Sequence, residues 1–171
     1  MLRPIYLQPG DKVALISPSG VATKEQLDAA CSLLTSWELE PVPGQHVLSR
    51  HGRLAGTDEE RLHDLQTALD AEDIRAIWCM AGDYGMLRIV QEADYSIFQG
   101  NPKWVIGMND ITVLHSKLHS ESRVYTPSCL PITTQLPRKW SRNYGIFFSG
   151  LFLHTPSLHT RSTDRESWKQ K

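Results

Sequence analysis

The residues with the clearest chemical meaning lie where the apolar run Trp104 to Ile106 ends in Gly107 and is followed by Asn109 and Asp110. This pattern predicts a strand that turns sharply into a helix, so that the corner residue projects from the sheet beside backbone N–H groups. Hydrolases place a nucleophile at such a corner and use the N–H groups as an oxyanion hole. A carboxamide is not a working nucleophile, but Asn tolerates a left-handed backbone. The stretch therefore predicts the geometry of a catalytic corner without its chemistry.

A simpler interpretation is that Asn109 or Asp110 is the N-cap of the following helix. Both residue types are favoured at that position, and an acidic side chain in the first turn suits the positive end of the helix dipole. This stretch alone leaves both interpretations open.

Composition and charge narrow the class of protein. The chain has 171 residues and a net charge of −1, which fits one ordinary domain and favours neither nucleic acid nor an anionic membrane as a partner. Three scattered cysteines, Cys31, Cys79 and Cys129, have no metal-ligand spacing and fit a reducing, cytoplasmic compartment. The first residues, 1–6, contain no long apolar segment, so we expect no signal peptide and no membrane span.

Short apolar runs alternate with helical patterns along the first two thirds of the chain. Lys12 to Ser17 and Ile74 to Met80 are typical of buried strands, whereas the prolines of Glu40 to Pro43 indicate an edge strand. Capping boxes that begin at Thr23 and Thr57 predict two helices. We therefore predict the α/β class, with a Rossmann- or flavodoxin-like parallel sheet and helices on both faces.

Weaker patterns extend this scheme. Met86 to Ala93 is predicted as a helix, Asp94 to Gly100 as a short helical turn, and Arg123 to Thr126 as a fifth strand. Residues 138–171 hold seven Lys or Arg and two acidic residues, against eleven and seventeen in the remainder. We predict one domain over residues 1–137 and an irregular basic tail, without a nucleic-acid role, over residues 138–171.

Three predicted loops follow the carboxyl ends of parallel strands and therefore lie at one edge of the sheet, where such folds bind ligands. They are Ser17 to Gly20, Ala81 to Gly85 and Gly107 to Asp110. Gly82 and Gly85 would let backbone N–H groups approach an anion, although two glycines after a strand commonly form just a tight turn. The candidate site residues on these loops are Ser19, Gly82, Asp83, Tyr84, Asn109 and Asp110.

Histidines and further nucleophiles offer alternatives. His115 and His119 stand four residues apart, as metal ligands on a helix do, but without a third ligand nearby we predict two ordinary helix histidines and no metal. The polar loop 45–56, with His46 and His51, is either a ligand-facing loop or a solvated connection. Other side chains could attack a substrate with one of those two histidines as base, and structural roles are favoured for all of them: Ser17, Ser19, Cys79 and Ser128.

Taken together, these motifs resemble the N-terminal domain of the LD-carboxypeptidases, bacterial muramoyltetrapeptide carboxypeptidases whose fold the microcin self-immunity proteins share. The resemblance runs from about Leu7 to Pro137. The matching pieces are Leu7 to Asp11, Val13 to Gly20, His51 with Gly52, Leu54 to Arg61, Asp73 to Cys79, Gly107, Asp110 to Thr112 and Pro131 to Leu136. The resemblance implies a serine peptidase with a Ser-His-Glu triad and neither metal nor cofactor. Its substrate would be a murein peptide, a cytoplasmic tetrapeptide that loses its terminal D-alanine during peptidoglycan recycling.

The chain departs from this family at the residues that the resemblance marks as catalytic. Asn109 occupies the position of the family's nucleophilic serine, and Asp83 interrupts an Arg-Gly-Gly-Tyr-Gly type of run that helps to form the oxyanion hole. A negative charge there opposes the negative charge that develops in the transition state. Pro127 to Leu130 replaces a His-Gly-Pro-Met-like segment. The family's Glu and His belong to a C-terminal domain, and no residue after Pro137 matches either.

We therefore predict an inactive or strongly impaired member of the family. Two alternatives stay open: a binding module that holds a muropeptide without cleaving it, and an enzyme completed by a separate C-terminal domain. The second is disfavoured because a partner cannot supply the missing serine at Asn109. Since the family's N-terminal domain packs on its C-terminal partner, we also expect an exposed apolar face and self-association into a homo-oligomer.

Overall fold

The computed structural model describes residues 4–122, in which strands and helices alternate as predicted. No helix in this range is long and apolar enough to cross a membrane. The elements are, in order, β1 Lys12–Ile16, α1 Lys24–Ser36, β2 Glu40–Pro43, α2 Asp58–Asp70, β3 Ile74–Cys79, α3 Met86–Ile89, α4 Ser96–Gly100, β4 Trp104–Ile106 and α5 Ile111–Ser122.

The strands of residues 4–122 form one four-stranded parallel sheet in the order β2-β1-β3-β4. β1 aligns Lys12 with Glu40 of β2 and Ile16 with Cys79 of β3, and both β1 and β3 end one residue before their predicted boundaries. β2 lies at the edge, as its prolines predicted, because proline cannot donate to a ladder. The strand order reverses between β1 and β3, where doubly wound sheets bind ligands. The predicted α/β class is confirmed.

Helices cover both faces of this sheet. On one face α1 packs with strand residues that include Val13, Leu15 and Trp78 in one apolar cluster. On the other face α2, α3, α4 and α5 pack with Ile16 and Ile77 in a second cluster. Alternate residues of each strand thus enter different layers, and full burial of each large apolar side chain contributes roughly 1.5–3 kcal/mol.

Both predicted capping boxes are present. Thr23 Oγ1 accepts from the Gln26 N–H (3.3 Å), while Gln26 Oε1 accepts from the Thr23 N–H (2.9 Å). Thr57 and Glu60 make the same reciprocal pair at the start of α2. Each box satisfies two N–H groups of a helix start, and losing an N-cap costs typically about 1 kcal/mol, so the boxes set where α1 and α2 begin.

The helix predicted over residues 86–93 is wrong in length, since α3 ends at Ile89. Gln66 of α2 explains the difference, because its Oε1 accepts from the Asp94 N–H (2.8 Å) and its Nε2 donates to the Asp94 carbonyl (3.0 Å). These tertiary bonds hold the chain out of a helical path before α4, the predicted short helical turn. The predicted fifth strand and the basic tail lie outside the described residues.

Candidate functional site

The corner between β4 and α5 is the sharp turn that the sequence predicted. Asn109 has a φ of 54°, in the left-handed region, and is exposed. Backbone bonds close the turn, since the Ile111 N–H donates to Met108 O (3.1 Å) and the Thr112 N–H donates to Asn109 O (3.1 Å). This conformation costs most L-residues roughly 1–2 kcal/mol, and Asn is one of the few that visit it routinely. The corner therefore has the left-handed backbone that the sequence predicted, and its side chain is a carboxamide.

Asp110 directly precedes α5, but its side chain bonds to other elements of the fold. Its Oδ2 accepts from Ser19 Oγ (3.0 Å) and from the Met86 N–H (2.9 Å) at the start of α3. Its Oδ1 is buried and has no hydrogen-bond partner among the residues that the structure describes. The carboxylate thus ties the loop after β1 and the start of α3 to the corner, which was not predictable from the local sequence.

Gly82 brings the loop after β3 into contact with both neighbouring loops. Its carbonyl accepts from the Gly20 N–H (2.9 Å). A Cβ atom at Gly82 would lie 2.5 Å from Met108 O and 2.8 Å from Asn109 Cβ, closer than real Cβ atoms come to such neighbours. Only glycine permits this approach, so the structure brings the three predicted loops together at the carboxyl edge of the sheet.

Asp83 and Tyr84 form the exposed rim of this edge. Asp83 has a φ of 98°, which L side chains rarely adopt, and its carboxylate lies 3.3 Å from Nη2 of Arg53 in the polar loop. Both partners of this ion pair are largely exposed, so water screens the pair and it contributes little to stability. Tyr84 is 59% exposed. The rim therefore presents a carboxylate and an aromatic ring to solvent.

Arg61 is a positioning residue that sequence reasoning missed. Its side chain is fully buried, and Nη1 donates to Pro18 O (2.6 Å) and to Gly85 O (3.0 Å), while Nη2 pairs with Asp58. Asp58 also holds Arg88 of α3. One guanidinium thereby joins α2 to the loops after β1 and β3. The available signal was a charged residue at helical spacing from the apolar face of α2.

The alternative nucleophiles have structural roles where the structure describes them. Ser17 is buried and its Oγ donates to Val47 O (2.7 Å), while Ser19 is buried against Asp110. Cys79 is buried beneath the same edge, and burial, with a smaller contribution from the negative charge of Asp110, raises the pKa of its thiol. A thiol that stays protonated is not a nucleophile. The fourth candidate, Ser128, lies outside the described residues.

The two helix histidines occupy different environments. His115 is buried with Nε2 3.1 Å from Val105 O, and burial lowers the pKa of its imidazole. His119 is exposed one turn later on α5. The interpretation as ordinary helix histidines therefore fits the structure better than a metal-binding pair.

The polar loop 45–56 is held against the domain at several points. The Ala55 N–H donates to Ser19 O (3.0 Å), and the His46 N–H donates to Oδ2 of Asp64 on α2 (2.8 Å). Asp64 is buried, another charged residue of α2 that sequence reasoning missed. The loop is thus more ordered by tertiary contacts than a simple solvated connection.

An open parallel sheet whose strand order reverses at β1, with a strand-to-helix corner at its carboxyl edge, defines a doubly wound α/β domain with the frame of a hydrolase site. Residues 13–127 match the family described as the LD-carboxypeptidase N-terminal domain. The chain belongs to the LD-carboxypeptidase family, as its motifs predicted.

Sequence relatives agree with this assignment. A putative carboxypeptidase of Streptomyces coelicolor is 40% identical over 119 residues, which cover 67% of this chain and 38% of the relative. A murein tetrapeptide carboxypeptidase of Pseudomonas aeruginosa is 40% identical over 114 residues, 66% of this chain and 37% of the relative. A probable murein peptide carboxypeptidase of Bacillus subtilis is 34% identical over 124 residues, which cover 72% of this chain and 39% of the relative. The chain thus spans about two fifths of the length of these relatives.

Solved structures share the fold. The microcin C7 self immunity protein in its wild-type apo state matches with a TM-score of 0.77 at 22% identity, over 96% of this chain and 48% of that protein. A muramoyltetrapeptide carboxypeptidase of Oxalobacter formigenes matches with a TM-score of 0.64 at 22% identity, over 80% of this chain and 47% of that protein. Both likenesses support the α/β architecture.

Proposed function

We propose that this chain is a catalytically impaired LD-carboxypeptidase whose ligand class is the cytoplasmic murein peptide of peptidoglycan recycling. Relatives named as murein peptide carboxypeptidases support the ligand class. The observation that carries the impairment is Asn109, which holds the left-handed corner conformation with a carboxamide side chain.

The chemistry of a serine peptidase explains why this substitution matters. Release of D-alanine requires an oxygen nucleophile that attacks the peptide carbonyl while its proton passes to a base. Asn109 has no hydroxyl, and the hydroxyl groups of Ser17 and Ser19, which lie on the loop after β1, are buried and committed to hydrogen bonds. The Asp83 carboxylate at the rim would further oppose an oxyanion. In a serine peptidase, loss of the nucleophile lowers the rate roughly a millionfold, and we expect a loss of that order here.

D-alanine release from murein tetrapeptide tests the impairment directly. The purified chain, shown by circular dichroism to be folded, should release no more D-alanine than a heat-denatured control. Release above that control would mean that another nucleophile and base operate, and would overturn the proposal.

Titration with the same tetrapeptide tests the ligand class. Saturable binding should weaken at least tenfold in Tyr84→Ala, because that ring is exposed at the rim, and should be unchanged in Ile97→Ala, an exposed apolar residue of α4. Such binding without release would favour the muropeptide-binding module. Equal binding by both variants would place any ligand elsewhere than the proposed edge.

A further inference from the structure

Three potential metal ligands from two separate segments meet beside α2. His46 belongs to the polar loop after β2, and His63 and Asp64 are neighbours on α2. One ligand atom from each of the three residues lies within 4.8 Å of the other two. The hydrogen bonds and ion pairs of these three residues stay within α2 and the polar loop, whereas the corner at Asn109 lies between β4 and α5.

Asp64 is the buried member of this group. Its side chain is 4% exposed, Oδ2 accepts from the His46 N–H (2.8 Å), and Oδ1 lies 3.5 Å from His63 Nδ1. The carboxylate is pressed against the loop so closely that a Cβ at Gly44 would lie 2.4 Å from Oδ2. A buried carboxylate is costly unless positive charge compensates it. The two imidazoles are positioned to hold a cation together with this carboxylate.

The two imidazoles are more accessible to solvent than the Asp64 carboxylate. The His46 and His63 rings are 5.6 Å apart and nearly perpendicular, with side-chain exposures of 22% and 55%. Oε1 of Glu60 lies 3.5 Å from His46 Nδ1 and is the oxygen of Glu60 that the capping box does not use. A groove of about 260 Å³ lies between β2 and α2. His63 and Asp64 are among the residues that line it, so it gives access to these two ligands.

We propose that His46, His63 and Asp64 form a binding site for a zinc-type divalent cation that clamps the polar loop onto α2. Two imidazole nitrogens and a carboxylate oxygen are a donor set that Zn²⁺ favours, and bonds of about 2.0–2.2 Å put tetrahedral ligands roughly 3.3 Å apart. The ligand atoms now lie within 4.8 Å of one another, so rotation of the two imidazoles would have to close the remaining distance. A water molecule or the Glu60 carboxylate, which lies beside His46, would occupy the fourth coordination position.

Zinc titration of the full chain tests the site. The protein is freed of metal with a chelator and titrated with Zn²⁺ against a competing chromophoric chelator. We expect one site in the wild type, at least tenfold weaker binding in His63→Ala and in His46→Ala, and unchanged binding in His119→Ala, a matched exposed histidine on α5. His46→Ala keeps the backbone N–H that binds Asp64, and His63 is half exposed, so both variants retain the packing of the fold.

Thermal unfolding supplies a second readout that does not depend on affinity alone. Zn²⁺ should raise the melting temperature of the wild type and of His119→Ala, and leave that of His63→Ala unchanged, because a ligand that binds only the folded state stabilises it. Equal zinc affinity in all four proteins, or no binding at micromolar Zn²⁺, would overturn the proposal. The outcomes of the D-alanine and tetrapeptide experiments have no bearing on it, since the titration measures the metal alone.

Discussion

Asn109 has a left-handed backbone within a closely packed turn, and Asn is one of the few residue types that adopt this conformation routinely. Gly82 presses against Met108 and Asn109, and backbone bonds to Ile111 and Thr112 close the turn. The hydrogen bonds that close the turn join main-chain atoms, so they do not involve the Asn109 carboxamide. The closed turn therefore does not require a nucleophile at its corner.

Gly82→Ala tests how closely the loops are packed. The added Cβ meets Met108 O at 2.5 Å, and neither partner is the end of a flexible side chain, so the backbone must shift. Overpacking of this kind costs about 1–3 kcal/mol, which urea unfolding would measure. Gly100→Ala, where nothing lies within 4 Å, is the control and should change stability by less than about 0.5 kcal/mol. Equal effects of the two substitutions would contradict the close packing.

Ser19 and Asp110 should be energetically coupled. Their hydrogen bond (3.0 Å) involves a carboxylate that also binds the Met86 N–H, so Asp110→Ala leaves two donors without their acceptor. We expect Asp110→Ala to cost about 2–3 kcal/mol and Ser19→Ala less. A double-mutant cycle by urea unfolding should give a coupling energy of about 1 kcal/mol, whereas additive effects would argue against the bond.

At the scale of the elements, tertiary contacts decide where helices end and which residues they bury. The apolar spacing of α2 was predicted, yet the same helix also buries Arg61 and Asp64. Arg61 reaches the loops after β1 and β3, and Asp64 reaches the loop after β2. α2 is therefore the element that fixes the loops of the carboxyl edge.

His115, which is buried on α5, should make the stability of the folded protein depend on pH. Burial lowers the pKa of His115 in the folded protein below its ordinary value of about 6.5, so the unfolded chain binds more protons there. The contribution of neutral, buried His115 to the free energy of unfolding is fully present above the unfolded pKa. It should be lost progressively as the pH drops below about 6.5. Thermal unfolding at pH 7.5 and 5.5 should show a smaller pH dependence in His115→Gln than in the wild type. An unchanged dependence would mean that other groups cause it.

At the scale of the whole molecule, the fold leaves several large apolar side chains exposed on its surface. Leu87 and Ile97 are exposed on α3 and α4, and Leu87 is 64% exposed. Exposed apolar surface favours association in water. We therefore still expect the chain to form homo-oligomers.

Sedimentation velocity tests that expectation over a range of concentrations. The wild type should show concentration-dependent association, and Leu87→Ser should shift the distribution toward monomer because it removes apolar area from the surface. A sharp monomer boundary at high concentration would contradict the expectation. Gln99→Ser, on α4 and exposed but polar, serves as the control substitution.

Much of the fold could be predicted because its causes are local. Three signals act over only a few residues and predicted these elements correctly. They are the capping boxes at Thr23 and Thr57, the apolar spacing of α1 and α2, and the prolines of β2. The three loops of the carboxyl edge followed from the alternation of strands and helices. The left-handed corner was one of two open interpretations, based on the strand-to-helix pattern around Gly107 and on the tolerance of Asn for that backbone.

The sequence by itself determined most of the strands and helices, their parallel arrangement and the carboxamide at residue 109, because periodicity, caps and residue identity are properties of neighbouring positions. Only the tertiary structure decided that Asp110 binds Ser19 and that His46 meets Asp64. These partners stand 91 and 18 residues apart, and only the strand order brings them together. A side chain with several possible partners takes the one that packing places beside it, which the chain order does not reveal.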